Sequence, residues 1–410
     1  MNRIHSLDLF RGIAIMMVVV LHRLVFDWTG AATWFEASNP LLENPWFSVV
    51  MFFVGMGGIF SLISGIVTSF STHNRLIKRQ STIKQILVAA LISFFWLEFL
   101  HFLYGFIFAP FAFGPETSYG FFIALLRGAT IGPPSKAALL YAGPLPIIGI
   151  SGLVVPFLIY LLLRKQGKEK IKRNKIILNV IATTILILSI FLPSLLGPIM
   201  YDALDNNNFP LAISLGYLIH PDFPIFPILS FAIYGSSLGL SLAREENKRS
   251  IIKRWLIFAS VIITIGVILL TIALSFQIEA WNFVRFIQLG VYFLIIVGLL
   301  YAVDFKSEDK QQKILKNLTP IIWFGRTSLT ILVLEVPLAE IFRLILSLIY
   351  PGWVNDLLAC LLFGLFNLAI WGIILFFWKN KNFRGSLEWI GAQLVKQSSK
   401  NRKKGEKINK

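Results

Sequence analysis

Charge, cysteine and histidine are all scarce in this sequence, and each shortage closes off a class of protein. Asp, Glu, Lys and Arg make up 14% of the 410 residues, far below the ~25% of ordinary soluble chains, which excludes a standard water-soluble domain. The single cysteine, Cys360, excludes an intramolecular disulfide. Five histidines are scattered without a zinc-type His/Cys cluster, and neither a P-loop nor a Rossmann fingerprint occurs, so a bound metal is not implied. No internal repeat of the kind found in many secondary transporters is visible.

Apolar residues fill the space that charge leaves, at 56% of the chain. They recur in runs of about 20, the length that crosses a ~30 Å hydrocarbon core at ~1.5 Å per residue. The expected fold is therefore all-α, a polytopic transmembrane bundle of about ten spans. They fall near 7–27, 45–72, 85–109, 137–163, 176–197, 223–243, 255–275, 281–303, 319–349 and 354–378. The first run has the look of a signal-peptide h-region, but with so many spans behind it we read it as an uncleaved helix. The two longest, 45–72 and 319–349, should tilt, kink or project from the bilayer, and Pro337 gives the latter a reason to bend. One transmembrane domain covers 1–378, and 379–410 forms a basic tail whose last fifteen or so residues are expected to be disordered.

Loop charge assigns the sides. The loops at 73–84, 164–175, 244–254 and 306–316 and the tail are basic, whereas 28–44, 198–222, 276–280 and 350–353 hold no Lys or Arg. The exception is 110–136, with Arg127 and Lys136. Positive charge collects on the cytoplasmic side, so both termini are expected there, in a multi-pass protein of the cell membrane. The net charge of +17 is then an orientation signal and a contact for anionic lipid, not a nucleic-acid surface. Trp28, Trp34, Trp46, Trp353 and Trp389 lie near span ends and read as an interfacial aromatic belt. The Pro- and aromatic-rich stretches within 110–136 and 201–227 suit interfacial lids, with His220 and Asp222 solvated or part of the second.

The first span is the unusual one. MNRIHSLDLFRGIAIMMVVVLHRL opens with Asp8 and Arg11 and closes on His22. Eleven residues at 100° each bring Arg11 and His22 to within ~20° of one face, about 16 Å apart along the axis. Asp8 lies three residues before Arg11 and can pair with it. Arg11 either snorkels to headgroups or marks a site. For His22, function is the stronger reading, because ionisable groups inside membranes usually line pathways or sites.

SLDLFRGIAIMMVVVLH resembles the first-helix signature of the acyltransferase-3 superfamily, with its Leu-Asp, Arg-Gly and terminal His. SLDLFRG is most similar to the heparan-alpha-glucosaminide N-acetyltransferase branch and related bacterial membrane families. Four further stretches resemble that pattern: FSLISGIVTSFSTHNRLIKR, HPDFPIFPILSFAIYGSSLGL, LTPIIWFGRTSLTILVLEVPL and FRGSLEWIGAQL. There are departures. Ile228 stands where Trp is usual, Glu335 where relatives often show His or Gln, and the animal heparan enzymes have no His at the position of His22. The resemblance implies a membrane enzyme that takes an acyl group, usually from cytoplasmic acetyl-CoA, and passes it to a hydroxyl or amine, commonly of a glycan across the membrane.

Acyl transfer needs a held donor, a deprotonated acceptor and a stabilised oxyanion. His22 is the best base, since its unperturbed pKa of ~6.5 lies near working pH. Arg11, with Asp8, Arg75 and Arg79, lies on the donor side, where arginines bind coenzyme A phosphates or, for Arg75 and Arg79, merely set topology. Arg326 either snorkels or adds to that donor site. Glu98 and His101, at i and i+3, either orient a catalytic group or pair with each other. Glu335 lies deep in its span and wants a partner such as His22, Arg285 or Arg343. The rival reading is a transporter or permease whose path these charges line, and a homodimer is left open.

Overall fold

In a computed structural model of the chain, residues 4–28, 57–78, 81–110, 119–131, 143–164, 170–219, 223–276 and 281–408 are described. Among them the only regular structure is helical. In chain order the α-helices are α1 (His5–Arg23), α2 (Gly58–Ile77), α3 (Ile83–Leu103), α4 (Phe121–Arg127), α5 (Pro144–Leu163), α6 (Ile171–Asp205), α7 (Phe209–Ile219), α8 (Ile225–Ala243), α9 (Lys248–Ser275), α10 (Trp281–Leu299), α11 (Glu308–Asn317), α12 (Thr319–Arg326), α13 (Ser328–Ile349), α14 (Leu357–Trp378) and α15 (Leu387–Ile408). Helices α1, α3 and α10 run on through a wider π turn, at Leu24–Trp28, Tyr104–Phe108 and Leu300–Asp304.

Eight of these helices, α1, α3, α5, α6, α8, α9, α10 and α14, are long and apolar enough to cross a membrane, which marks the chain as a membrane protein. The two remaining expected spans differ from expectation. Of 45–72, the described part begins at Gly57, and α2 continues to Ile77, past the expected end. Its serines and threonines lower its hydropathy. The run 319–349 is two helices, α12 and α13, broken at Thr327 (φ −118°, ψ 21°). The break is not at Pro337, which lies inside α13. Thr327 Oγ1 donates to Trp323 O at 2.9 Å, a local bond of the kind that competes with helix continuation.

Three other expectations change. The expected outer loop 198–222 is largely helical: α6 runs on to Asp205 and α7 doubles back, burying Met200, Ala203, Ala212 and Ile219 between them. The tail is helical through Ile408, in α15, where disorder was expected. Its first turn is fastened at Glu388 and Leu387, which gives the helix a fixed start. Trp353 is buried, its Nε1 donating to Ser347 Oγ at 3.1 Å, whereas Trp389 is 40% exposed. Trp34, Trp46, Arg79, Lys136, His220 and Asp222 lie outside the described residues.

Helix α8 is almost wholly buried, and small residues bring α2 against it. A Cβ on Gly65 would sit 1.9 Å from Ala232 O, and one on Gly239 would sit 2.5 Å from Ile66 O. Close backbone approach is how membrane helices gain packing without a hydrophobic driving force between them. Contacts pairing 62 with 235 and 66 with 239 make α2 and α8 parallel. Helix α14 is antiparallel to α1, since Ile15 and Val19 cluster with Trp371 and Leu375, and Leu24 and Val25 with Cys360 and Phe363.

Two carboxylates from elsewhere hold helix N-termini, where N–H groups lack partners. The Asp304 carboxylate accepts from His5 N at 2.9 Å and Ser6 N at 2.8 Å, at the start of α1. Glu388 accepts from Leu329 N at 2.6 Å and Thr330 Oγ1 at 2.7 Å, at the start of α13. Ile4, which precedes α1, has no side-chain oxygen to cap it. We predict that Asp304→Ala lowers stability by about 1–3 kcal/mol, the range for a lost cap that strands buried donors. Thermal unfolding in detergent checks this, and an unchanged midpoint would show that the cap is dispensable.

Candidate functional site

Beyond Val19 the face that α1 turns toward α13 becomes polar. His22, Arg23 and, one turn later, Asp27 look across at Glu335, Glu340 and Arg343 of α13. The carboxylate of Glu335 is shared: Oε1 accepts from His22 Nδ1, and Oε2 accepts from Arg23 Nη2 at 3.4 Å. Arg23 Nη1 donates to Asp27 Oδ2 at 3.2 Å. Asp27 Oδ1 accepts from Arg343 Nε at 3.0 Å, and Arg343 Nη1 reaches Glu340 Oε1 at 2.9 Å. Arg127, the last residue of α4, closes the chain with a two-pronged contact to Glu340 through Nε and Nη2, both at 2.8 Å. Tyr119 lays its ring against the Arg127 guanidinium, 4.8 Å from the ring centre.

Local spacing explains half of this network and parallel packing the rest. Arg23 and Asp27 are four residues apart, Glu340 and Arg343 three, so each pair shares a helix face. The cross-helix pairs 22–335, 23–335 and 27–343 step forward together along both helices, so α1 and α13 run parallel. Isolated buried charges are costly, and they persist when paired and hydrogen-bonded. Here the guanidiniums of Arg23, Arg127 and Arg343 meet the carboxylates of Asp27, Glu335 and Glu340. Three positive charges against three negative leave zero net charge while His22 is neutral. The His22 ring also leans on Phe26, centroids 4.7 Å apart.

The structure thus joins His22 to Glu335, one of the partners expected for that carboxylate. Glu98 is hydrogen-bonded with Tyr217 of α7, a contact between α3 and α7. His101 is buried on α3 against Phe102, centroids 5.6 Å apart. At the other end of α1, Gly12 and Gly325 set α1 on α12. A Cβ on Gly12 would come within 2.1 Å of Ile321 O, and one on Gly325 within 2.1 Å of Asp8 O. That contact places Arg11 and Arg326, each beside one of these glycines, on neighbouring backbones. Arg326 is exposed, Asp8 and Arg11 are half-buried, and Arg75 is half-buried in the last turn of α2.

Sequence reasoning missed Arg23, Asp27 and Glu340 as members of the site. One signal was available: on the sidedness expected from loop charge, Arg23 and Arg127 both break the rule that positive charge avoids the outer side. An arginine placed against that bias needs a carboxylate partner, and each has one.

No protein-family model matches this chain, and no curated protein matches it either.

Proposed function

We propose that the protein is a membrane acyltransferase that moves an acyl group, in the simplest case acetyl, from cytoplasmic acyl-CoA to a hydroxyl or amine. The observation that carries this reading is the His22–Glu335–Arg23 arrangement. Glu335, held by Arg23, accepts the hydrogen bond of His22 Nδ1–H, which fixes the ring and leaves Nε2 as the basic nitrogen. His22 keeps 22% of its side chain exposed while Glu335 keeps 1%, so the base is reachable and its orienter is not. Nε2 takes the proton of the acceptor O–H or N–H as that atom attacks the thioester carbonyl. The tetrahedral intermediate collapses with C–S cleavage, and the departing thiolate recovers the proton from His22. Arg11 and Arg326, with Arg75 and Arg79 on the same side by sequence, hold the donor's phosphates. The pantetheine arm spans the ~16 Å from Arg11 to His22.

This reading takes ten spans, with α2 and α12–α13 supplying the two beyond the eight, and places both termini in the cytoplasm. Strict alternation of ten spans makes α1 parallel to α13 and antiparallel to α14, and α2 parallel to α8. These are the directions in which those pairs pack, and they support the count. The motif resemblance supports the chemistry.

A transporter is the second reading, favoured by one observation: a continuous ion-pair network within the spans, as in many substrate and proton pathways. One experiment separates the two. Purified protein is given acetyl-CoA labelled in the acetyl carbons together with a pool of candidate glycans and lipids, and the pool is read by mass spectrometry. The expected result is a labelled acetyl ester or amide that forms only with the protein. No label in any acceptor, together with uptake of an unmodified solute by reconstituted vesicles, would establish the transporter instead.

A further inference from the structure

The network described above sums to zero charge, but its members are not equally hidden. The side chains of Asp27, Glu335 and Glu340 are 0–1% exposed. The members that reach the surface are His22 and Arg343, each 22% exposed, and Arg127, 13% exposed. Every carboxylate stands behind, and every group in front is an imidazole or a guanidinium. Such a cluster is a fixed dipole with its positive end outward.

The hydrogen-bonding consequences are specific. Arg127 spends Nε and Nη2 on Glu340, and Arg343 spends Nε on Asp27 and Nη1 on Glu340. Arg127 Nη1 and Arg343 Nη2 take no part in these ion pairs. Apart from the basic nitrogen of His22 and the Tyr119 hydroxyl, which is hydrogen-bonded to Arg127, the front therefore offers donors only. A neutral sugar brings a donor with every hydroxyl, and at this face most of them would lose water without gaining a partner, which is penalised. An oxyanion brings acceptors only, in the planar or tripodal geometry that guanidiniums match.

We infer that the acceptor bears an anionic oxyacid group, a carboxylate or phosphate next to the hydroxyl or amine that reacts, and that Arg343 and Arg127 bind it. The inference rests on the transfer reading for which atom reacts, but binding of the anion does not depend on a donor. The charge balance also gives the anion a role beyond affinity. When His22 accepts the acceptor's proton the cluster gains one positive charge, and a bound anion cancels it in a site with little water.

Two sources of such a group exist, a soluble sugar acid and a lipid headgroup. In one arm, protein in phosphatidylcholine nanodiscs is titrated calorimetrically with D-glucuronate and with D-glucose. In the other, nanodiscs of phosphatidylcholine mixed with phosphatidylglycerol are assayed for phosphatidylglycerol retained by the protein. We expect the anionic probe to bind in one arm at least, to weaken with added salt, and to lose about ten-fold in affinity in Arg343→Gln and Arg127→Gln. Glucose should not bind. Arg343→Gln strips Asp27 of a partner, so Arg343→Lys is included: it keeps a charge beside Asp27, gives up Nη2, and should also bind weakly. Coenzyme A titration of each variant serves as the control for folding. Equal binding of glucose and glucuronate, or no arginine-dependent anion binding in either arm, overturns the inference. Arginine-dependent anion binding in a protein that never binds coenzyme A would uphold the inference while removing the transferase reading.

Discussion

His22→Gln should fold, bind coenzyme A as the native protein does, and turn over about 10²–10⁴ times more slowly, the usual worth of a positioned general base. Glutamine has a similar reach and can still hydrogen-bond Glu335, so the packing of α1 on α13 survives. What it lacks is a nitrogen that can accept the acceptor's proton. The loss should appear in kcat, with the KM for acyl-CoA little changed, because the proposed function puts the donor's phosphates at the other end of α1. Glu335→Gln is the companion variant. It keeps a partner for Nδ1 but cannot stabilise the imidazolium, so it should fall between the native protein and His22→Gln. Near-native turnover by His22→Gln would make His22 a structural hydrogen-bonder, and the proposed chemistry would have to move to another residue.

The largest expected effect on stability comes from Arg23. Its side chain is fully buried and is hydrogen-bonded to both Asp27 and Glu335. Replacing it with methionine leaves three buried carboxylates against two arginines, and breaking such a buried set by removing one member costs about 3–5 kcal/mol. The Arg23→Met/Asp27→Leu double variant removes one charge of each sign. Glu335 then keeps His22, Glu340 keeps Arg127 and Arg343, and the cluster stays balanced. We predict that the double variant is more stable than Arg23→Met alone, even though it changes more residues, as non-additivity within one network requires. Thermal unfolding in a fixed detergent gives both numbers. A single variant as stable as the native protein, or a double variant less stable than the single, would mean that the charges are not energetically coupled.

Most of the bundle was legible in the sequence because bilayer thickness and backbone hydrogen bonding leave few options for an apolar run. The failures occurred where a local interaction outweighs hydropathy. The run 319–349 reads as one apolar segment, and nothing in its hydropathy reveals the stop at Thr327, because that stop depends on a hydroxyl turning back to Trp323 and on Glu388 arriving from 58 residues downstream. The tail reads as disordered from its charge, yet its start is fixed by bonds to α13. At the site, the stripe running from Arg11 to His22 was visible because helical periodicity is local. The Arg23–Glu335 and Asp27–Arg343 pairs were not, being separated by 312 and 316 residues. Only the misfit of an outward-lying arginine hinted at them, and it names no partner.

The two capping carboxylates also fix where the paired helices α1 and α13 begin relative to one another. Helices α1 and α13 lie parallel, and Asp304 and Glu388 grip them at the same, N-terminal end. The grips are staggered: with 22 opposite 335 and 27 opposite 343, α13 starts roughly 15 Å beyond the start of α1. Beyond that start the two helices are joined by charge, and parting them means breaking the Arg23–Glu335 and Asp27–Arg343 pairs.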